Sequence, residues 1–269
     1  MHAFALLDRR SVIRVTGPDR ASFLDGLLTA DVGGATPGSP RPAALLTPQG
    51  KILHALWVHA APDGDEAVLL DLPRDGAEDL LKRLSLFRLR AKVEIADVSD
   101  TWAVLVDAAG ARRIGRIDDA SPSDAIIAAY DAWRVAHGRP EQGVDYGAAE
   151  MFPADVNLDL LGGVDYRKGC FVGQEVVSRM KRRGSIRKRT LVLETDGPSP
   201  APGAAITADG AALGQALGSA GGKTLALVRI DRLAAADPAT ITVGDRPARI
   251  AFPDWFPDDA RGVGSEERS

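Results

Sequence analysis

A single cysteine, Cys170, stands in the 269 residues. It excludes an intramolecular disulfide, and it excludes a zinc or cluster site built from four thiolates of this chain alone. Four histidines are present, and His2, His54, His59 and His137 have no ligand-like spacing. His54 and His59 lie five apart, hence on opposite faces of a strand. No uncharged apolar run approaches the roughly 18 residues that a membrane span needs. The start, Met1 to Arg10, has no long apolar segment before the charge at Asp8, so no signal peptide is expected there. With its unpaired thiol, the chain is expected in a reducing cytoplasm. The net charge of −4 excludes a surface coated in nucleic-acid-binding charge. No P-loop, dinucleotide glycine fingerprint, metal-binding His pair or nucleophile elbow occurs.

What is present is enough for a sizeable core, with 45% hydrophobic and 26% charged residues. The length permits one large domain or two to three small ones. Residues 3 to 16 read as extended, and Asp19 is expected to cap a helix reaching about Ala30, with Phe23/Leu27 and Leu24/Leu28 on its buried face. Apolar segments at 43–47, 52–60 and 67–72, separated by Pro48-Gln-Gly50 and Pro62-Asp-Gly64, predict an antiparallel meander. Leu80, Leu81, Leu84 and Phe87 predict a helix over 75–89. Val93 to Ile95 and Thr101 to Val106 read as strands. Ser123 is expected to cap a helix carrying Ile126, Tyr130 and Trp133 and ending before Gly138. From about Arg187, short strands alternate with Gly and Pro turns, which predicts a small β-barrel, followed by a frayed tail over 261–269. The fold class is therefore α+β followed by an all-β domain.

Arg167-Lys-Gly-Cys170 precedes a short helical pattern in which Val176 and Met180 lie four apart. That spacing places Cys170 near a helix N-terminus, beside Arg167 and Lys168, where a thiolate is stabilised. Gly169 and Gly173 allow tight turns and close approach of backbone amides to a ligand. Gln174 and Glu175 add an amide and a carboxylate at the helix start. The competing reading, an inert cysteine in a core, stays open on chemistry alone.

The segment Lys168-Gly-Cys-Phe-Val-Gly-Gln-Glu175, followed by an Arg-rich loop, resembles the signature of the YgfZ family of folate-binding, iron–sulfur-cluster-assembly proteins. Further echoes run over most of the chain: Leu46-Thr-Pro-Gln-Gly-Lys51, Trp133-Arg-Val-Ala-His-Gly-Arg-Pro140, Phe152-Pro-Ala-Asp-Val-Asn157, and Gly214 to Ser219 with Ala226-Leu-Val-Arg229. The resemblance implies the three-domain cloverleaf of the glycine-cleavage T-protein, an aminomethyltransferase, around a central tetrahydrofolate pocket. The implied division is a discontinuous folate-binding domain over 1–45 and 92–185, an inserted ferredoxin-like part over 46–91, and a C-terminal β-barrel over 186–260. It further implies a role in maturing or repairing iron–sulfur proteins, including tRNA-modifying enzymes. The expected partners are therefore client proteins or assembly factors, with no membrane. Cys170 is the implied functional thiol on a motif facing the folate cavity. Lys168, Gly169, Gly173, Gln174, Glu175 and Arg134 are the expected ligand-binding positions.

One departure separates this chain from the T-protein. Aminomethyl transfer needs a carboxylate near the reacting amine, and His54-Ala55 replaces the T-protein's Asp-Asp pair after the Gly50 turn. That disfavours the alternative, a folate-dependent one-carbon transferase, although His54 remains a possible base beside its structural reading. Arg134 has two readings, a bidentate carboxylate partner or a bridge between domains. The basic stretch Arg179 to Arg189 can hold an anionic tail or simply be solvated. Direct nucleic-acid binding is disfavoured because no aromatic residues interleave with its charges. Trp57, Trp102, Trp133 and Trp255 are read as core or interface residues ahead of a pterin stack.

Overall fold

The computed structural model describes residues 3–261, apart from 37, 63 and 65. Strands β1 (Ala5–Leu6) and β2 (Arg10–Thr16) lead into helix α1 (Arg20–Asp25). Strands β3 (Arg41–Leu46), β4 (Ile52–Ala60) and β5 (Val68–Pro73) precede helix α2 (Ala77–Arg88). Strands β6 (Glu94–Asp97), β7 (Trp102–Val106) and β8 (Arg112–Arg116) lead to helix α3 (Asp124–Ala136). A long irregular stretch then reaches helix α4 (Gln174–Arg182). The rest comprises β9 (Lys188–Thr195), β10 (Ala205–Ala208), β11 (Ala211–Ala220), β12 (Lys223–Arg229), α5 (Ile230–Leu233), β13 (Thr242–Val243) and β14 (Arg246–Ala251).

These strands build a five-stranded sheet ordered β3-β4-β5-β2-β6, a three-stranded sheet ordered β1-β7-β8, and a closed barrel ordered β10-β11-β12-β9-β14-β13. Period-two alternation along β4 decides what each face of the first sheet meets. Leu56 and Val58 enter a core with Leu24, Leu80 and Leu84, in which the last two share one face of α2 at i, i+4. Trp57 and His59 point the other way, toward β5's buried Asp71. In the barrel, Leu191, Leu193, Ile206, Leu213, Ala226 and Val228 fill the interior. Asn157, fully buried at φ +60, donates from Nδ2 to the Thr190 carbonyl at 2.6 Å and ties the irregular stretch to β9. Arg189 does the same from the strand side, pairing with Asp159 at 2.5 Å and the Ala154 carbonyl at 3.0 Å.

The six barrel strands, α2, and α3 with its Ser123 cap lie close to their expected positions, and the cap accepts from the Ile126 amide at 3.3 Å. Three expectations differ. Helix α1 stops at Asp25 instead of Ala30: the Leu28 amide still donates to the Leu24 carbonyl at 2.8 Å, but Leu28 then bridges to Leu45, and Leu27 and Leu28 are buried in the same core. Asp19 does not cap α1; its carboxylate accepts from the Lys92 amide at 2.7 Å. The boundaries at 45/46 and 91/92 do not delimit a separate sheet, since β2, β3 and β6 hydrogen-bond into one sheet with β4 and β5. Residues 262–269 of the expected tail lie outside the described residues.

Candidate functional site

Where the five-stranded sheet, α3 and the irregular stretch meet, a central pocket encloses about 770 Å³, including its open mouth. Apolar and aromatic walls come from Ala43, Trp57, Tyr130, Trp133, Tyr146 and Leu158. Trp133 is fixed against Gly110, where any Cβ would fall 2.3 Å from the indole; Gly110 is therefore required for the ring to lie there. Apolar and aromatic walls with a few charged groups are the composition of a site for a small organic ligand.

Beneath the walls lies a charge network that no sequence motif announces. Asp71, fully buried, accepts from Arg10 Nε at 2.7 Å and from Arg112 Nε at 2.5 Å. Burial pushes its pKa up, but the two guanidiniums and the hydrogen bonds from Arg112, with His59 Nε2 3.6 Å away, outweigh burial and hold it well below the ordinary carboxylate range. Arg112 also donates to the Tyr130 hydroxyl at 2.7 Å. Glu141 accepts from Arg9 at 2.9 Å and Arg10 at 3.2 Å; burial again opposes ionisation, and Arg10, Arg112 and Arg9 pull its pKa down to about 2. The three-stranded sheet, through Arg112, and the five-stranded sheet, through Arg10 and Asp71, are thus joined by ion pairs under the pocket.

Arg134, the one expected ligand-binding residue that lines this pocket, is committed to protein partners. It donates to Asp131 at 2.7 Å and to Asp145 at 2.5 Å, both within the same 92–185 segment, so these ion pairs neither bridge two of the expected domains nor leave it free for a ligand carboxylate. Its neighbour Arg139 is different. Helix α3 is closed by Gly138, at φ +62 with its amide on the Val135 carbonyl at 3.1 Å, and Arg139 follows at the pocket wall. Its guanidinium lies 5.3 Å from the centre of the Trp133 ring. Its Nε is buried without a hydrogen-bond partner, and burial pushes its pKa down. Sequence reasoning passed over it although it lies in the quoted segment ending at Pro140. The available signal was Gly138, which turns the chain just before an arginine.

The signature segment does not face the central pocket, contrary to expectation. Its placement is set by the β3–β4 turn: Gly173, at φ +79, packs so closely there that a Cβ would fall 2.6 Å from the Thr47 carbonyl, and Gly50 is likewise in contact with Val176. The Lys168 ammonium is turned inward, donating to the Leu28 and Ala30 carbonyls at 2.8 Å each and lying 3.5 Å from Asp25. Burial lowers its pKa despite Asp25. It therefore anchors the loop and is not the free cation expected to bind a ligand. Gly169 faces open space. Cys170 is exposed, which removes the buried-core reading. Gln174 and Glu175 open α4 and line a shallow depression with Tyr166, Ser178 and Arg182, not the central pocket.

His54 faces away from the pocket and donates from Nε2 to the Asp79 carboxylate at 2.7 Å, with its pKa lowered by burial. Ala55, the other half of the replaced pair, lines the pocket and brings no acid. The basic stretch is divided: Lys181 sits 3.8 Å from the Tyr166 ring centre, whereas Arg189 is buried as a strut against Asp159. Among the described residues no helix is long and apolar enough to cross a membrane.

Residues 187–258 match the family model described as the CAF17 C-terminal β-barrel domain. Over 95% of the chain, and 86% of the relative, it is 28% identical to the iron–sulfur cluster assembly factor IBA57, mitochondrial, of Mus musculus. It is 30% identical to the mitochondrial IBA57 homolog of Coccidioides immitis over 73% of the chain, spanning 58% of that longer protein. These relatives are mitochondrial by name, which overturns the expected cytoplasmic location; a free thiol suits any reducing compartment and cannot choose among them. The glycine-cleavage aminomethyltransferase T of Bartonella henselae superposes with a TM-score of 0.73 at 16% identity, covering 93% of this chain and 85% of that one. The chain is thus similar to proteins named as the iron–sulfur cluster assembly factor IBA57, and its fold is that of the glycine-cleavage T-protein, closed by a C-terminal six-stranded barrel.

Proposed function

We propose that the protein is an accessory factor in iron–sulfur cluster assembly or repair, with Cys170 as its working thiol and a reduced folate in the central pocket. The observation that carries this reading is the exposed Cys170, presented on a loop pinned by Lys168 and Gly173, in a chain similar to proteins named as iron–sulfur assembly factors. One thiolate supplies one ligand, so a cluster handled here as cargo takes its remaining ligands from a partner assembly factor or client. The clients on this reading include tRNA-modifying iron–sulfur enzymes.

The lining of the central pocket suits a folate: Trp57, Tyr130 and Tyr146 offer faces for a flat ring system, and Gln142 is at hand for a polar edge. When bound, a reduced folate offers one-carbon chemistry at its ring nitrogens. The residues that meet it bind and orient. Glu141, with a pKa near 2, is a poor proton acceptor at neutral pH, which speaks against aminomethyl transfer.

The test is complementation of a strain lacking the gene with Cys170→Ala, alongside calorimetric titration of the purified protein with tetrahydrofolate. Loss of cluster-dependent enzyme activities with unchanged melting temperature and unchanged folate affinity is expected. Full rescue by Cys170→Ala overturns the thiol role, and absence of saturable tetrahydrofolate binding overturns the ligand. Formaldehyde release from an aminomethyl-lipoyl carrier would revive the transferase reading.

A further inference from the structure

The central pocket is lined by four arginines, and their pairing is unequal. Arg10 is held by Asp71 and Glu141, Arg112 by Asp71 and the Tyr130 hydroxyl, and Arg134 by Asp131 and Asp145. Arg139 has no carboxylate and no side-chain hydrogen bond among the described residues; its Nε is enclosed and unsatisfied, and its only close contact of note is the Trp133 face. Leaving a buried charged donor without an acceptor is costly, because its desolvation is not repaid. Acids are near in sequence, since Glu141 is two residues on. Pro140 separates the two, and Glu141's oxygens are taken by Arg9 and Arg10. The chain thus spends its carboxylates on the other three arginines and leaves one guanidinium, against an aromatic face, on the wall of the central pocket.

From this we infer that Arg139 is the anion anchor of the central pocket and makes it select ligands that join a flat ring system to a carboxylate. A guanidinium presents paired N–H donors that match a carboxylate bidentately, and the stacked indole keeps it oriented. The walls bind the ring; Arg139 reads the charge. The identity of the ring as a pterin rests on the folate reading above, whereas the anion requirement rests on Arg139 alone.

The experiment measures affinity of the full chain and of Arg139→Met and Arg139→Gln for three probes. These are tetrahydrofolate, 6-methyltetrahydropterin, which lacks the glutamate, and p-aminobenzoylglutamate, which lacks the pterin. Melting temperatures of the two variants confirm folding, and the probe-to-probe ratio within each protein cancels any general loosening of the site. Wild type is expected to bind tetrahydrofolate at least ten-fold more tightly than the methylpterin, and both variants to lose that preference while keeping methylpterin affinity within two-fold. Arg139→Lys is expected to recover part of the preference. If both variants keep the preference, or wild type shows none, the anchor role is overturned while the folate reading stands. If wild type binds neither pterin but binds p-aminobenzoylglutamate in an Arg139-dependent way, the folate reading fails and the anchor stands. If no anionic probe binds wild type more tightly than the Met variant, the anchor falls as well.

Discussion

Around Asp71 charge is buried and paired: Arg10, Arg112 and His59 converge on one carboxylate that no water reaches. Around Cys170 the thiol and Gly169 are exposed, and the one lysine of the segment is turned inward onto backbone carbonyls. The first region is built to be rigid, because each buried ion there is stable only with its partners. The second is anchored by Lys168, the buried Phe171 ring and Gly173, and leaves only Gly169 and Cys170 exposed between them. A substitution that costs the pocket floor several kcal/mol should have no thermodynamic counterpart at the thiol, and the reverse should hold for function.

The largest expected effect is Asp71→Ala, which takes from Arg112 its directly bonded carboxylate and leaves Arg10 with Glu141 alone. A loss of about 3–5 kcal/mol, read from the urea midpoint, is expected; less than 1 kcal/mol would mean that water enters the floor. Acid acts on the same region. The folded-state pKa values of Asp71 and Glu141 are depressed, so their contribution is complete above the ordinary carboxylate range and is lost as pH falls toward about 2. Glu141 alone is expected to account for roughly 3 kcal/mol of that loss. Urea midpoints between pH 5 and 2 check this, and a flat profile would contradict the pairing described here.

At the thiol segment, Gly173→Ala is expected to cost about 1–3 kcal/mol, from the φ of +79 and the Thr47 carbonyl in the way of a Cβ. Gly169→Ala, facing open space, serves as its near-neutral control. Smallest of all is Cys170→Ser, expected within about 0.5 kcal/mol of wild type in thermal unfolding because the side chain is exposed. A large destabilisation by Cys170→Ser would erase the contrast between the two regions.

Much of the fold was legible because local signals agreed with it. The barrel strands are marked by Gly and Pro turns at short intervals, and α3 by a serine cap, an apolar face and a closing glycine. Strand β8 was not, since Arg112-Arg-Ile-Gly-Arg116 reads as polar: Arg112 is buried only because Asp71, 41 residues earlier, meets it, and Gly115 leaves the room that Leu105 fills. Helix α1 was overextended because Leu27 and Leu28 fit a helical repeat, yet lie in the same core where Leu28 bridges to Leu45.

The sequence by itself determined that one thiol exists, that it sits on a glycine-flanked loop before a short helix, and that no carboxylate pair follows the Gly50 turn. Local chemistry suffices for those statements, since each concerns residues adjacent in the chain. Tertiary structure decided where the signature faces and which arginine is free. Lys168 and Arg139 look alike in sequence, as cations beside a glycine. Only long-range contacts show that the first is satisfied by the Leu28 and Ala30 carbonyls, 140 and 138 residues away, while the second has no partner on the pocket wall. A charge's role is set by what comes within about 3 Å of it, and for buried groups those neighbours are supplied by the fold.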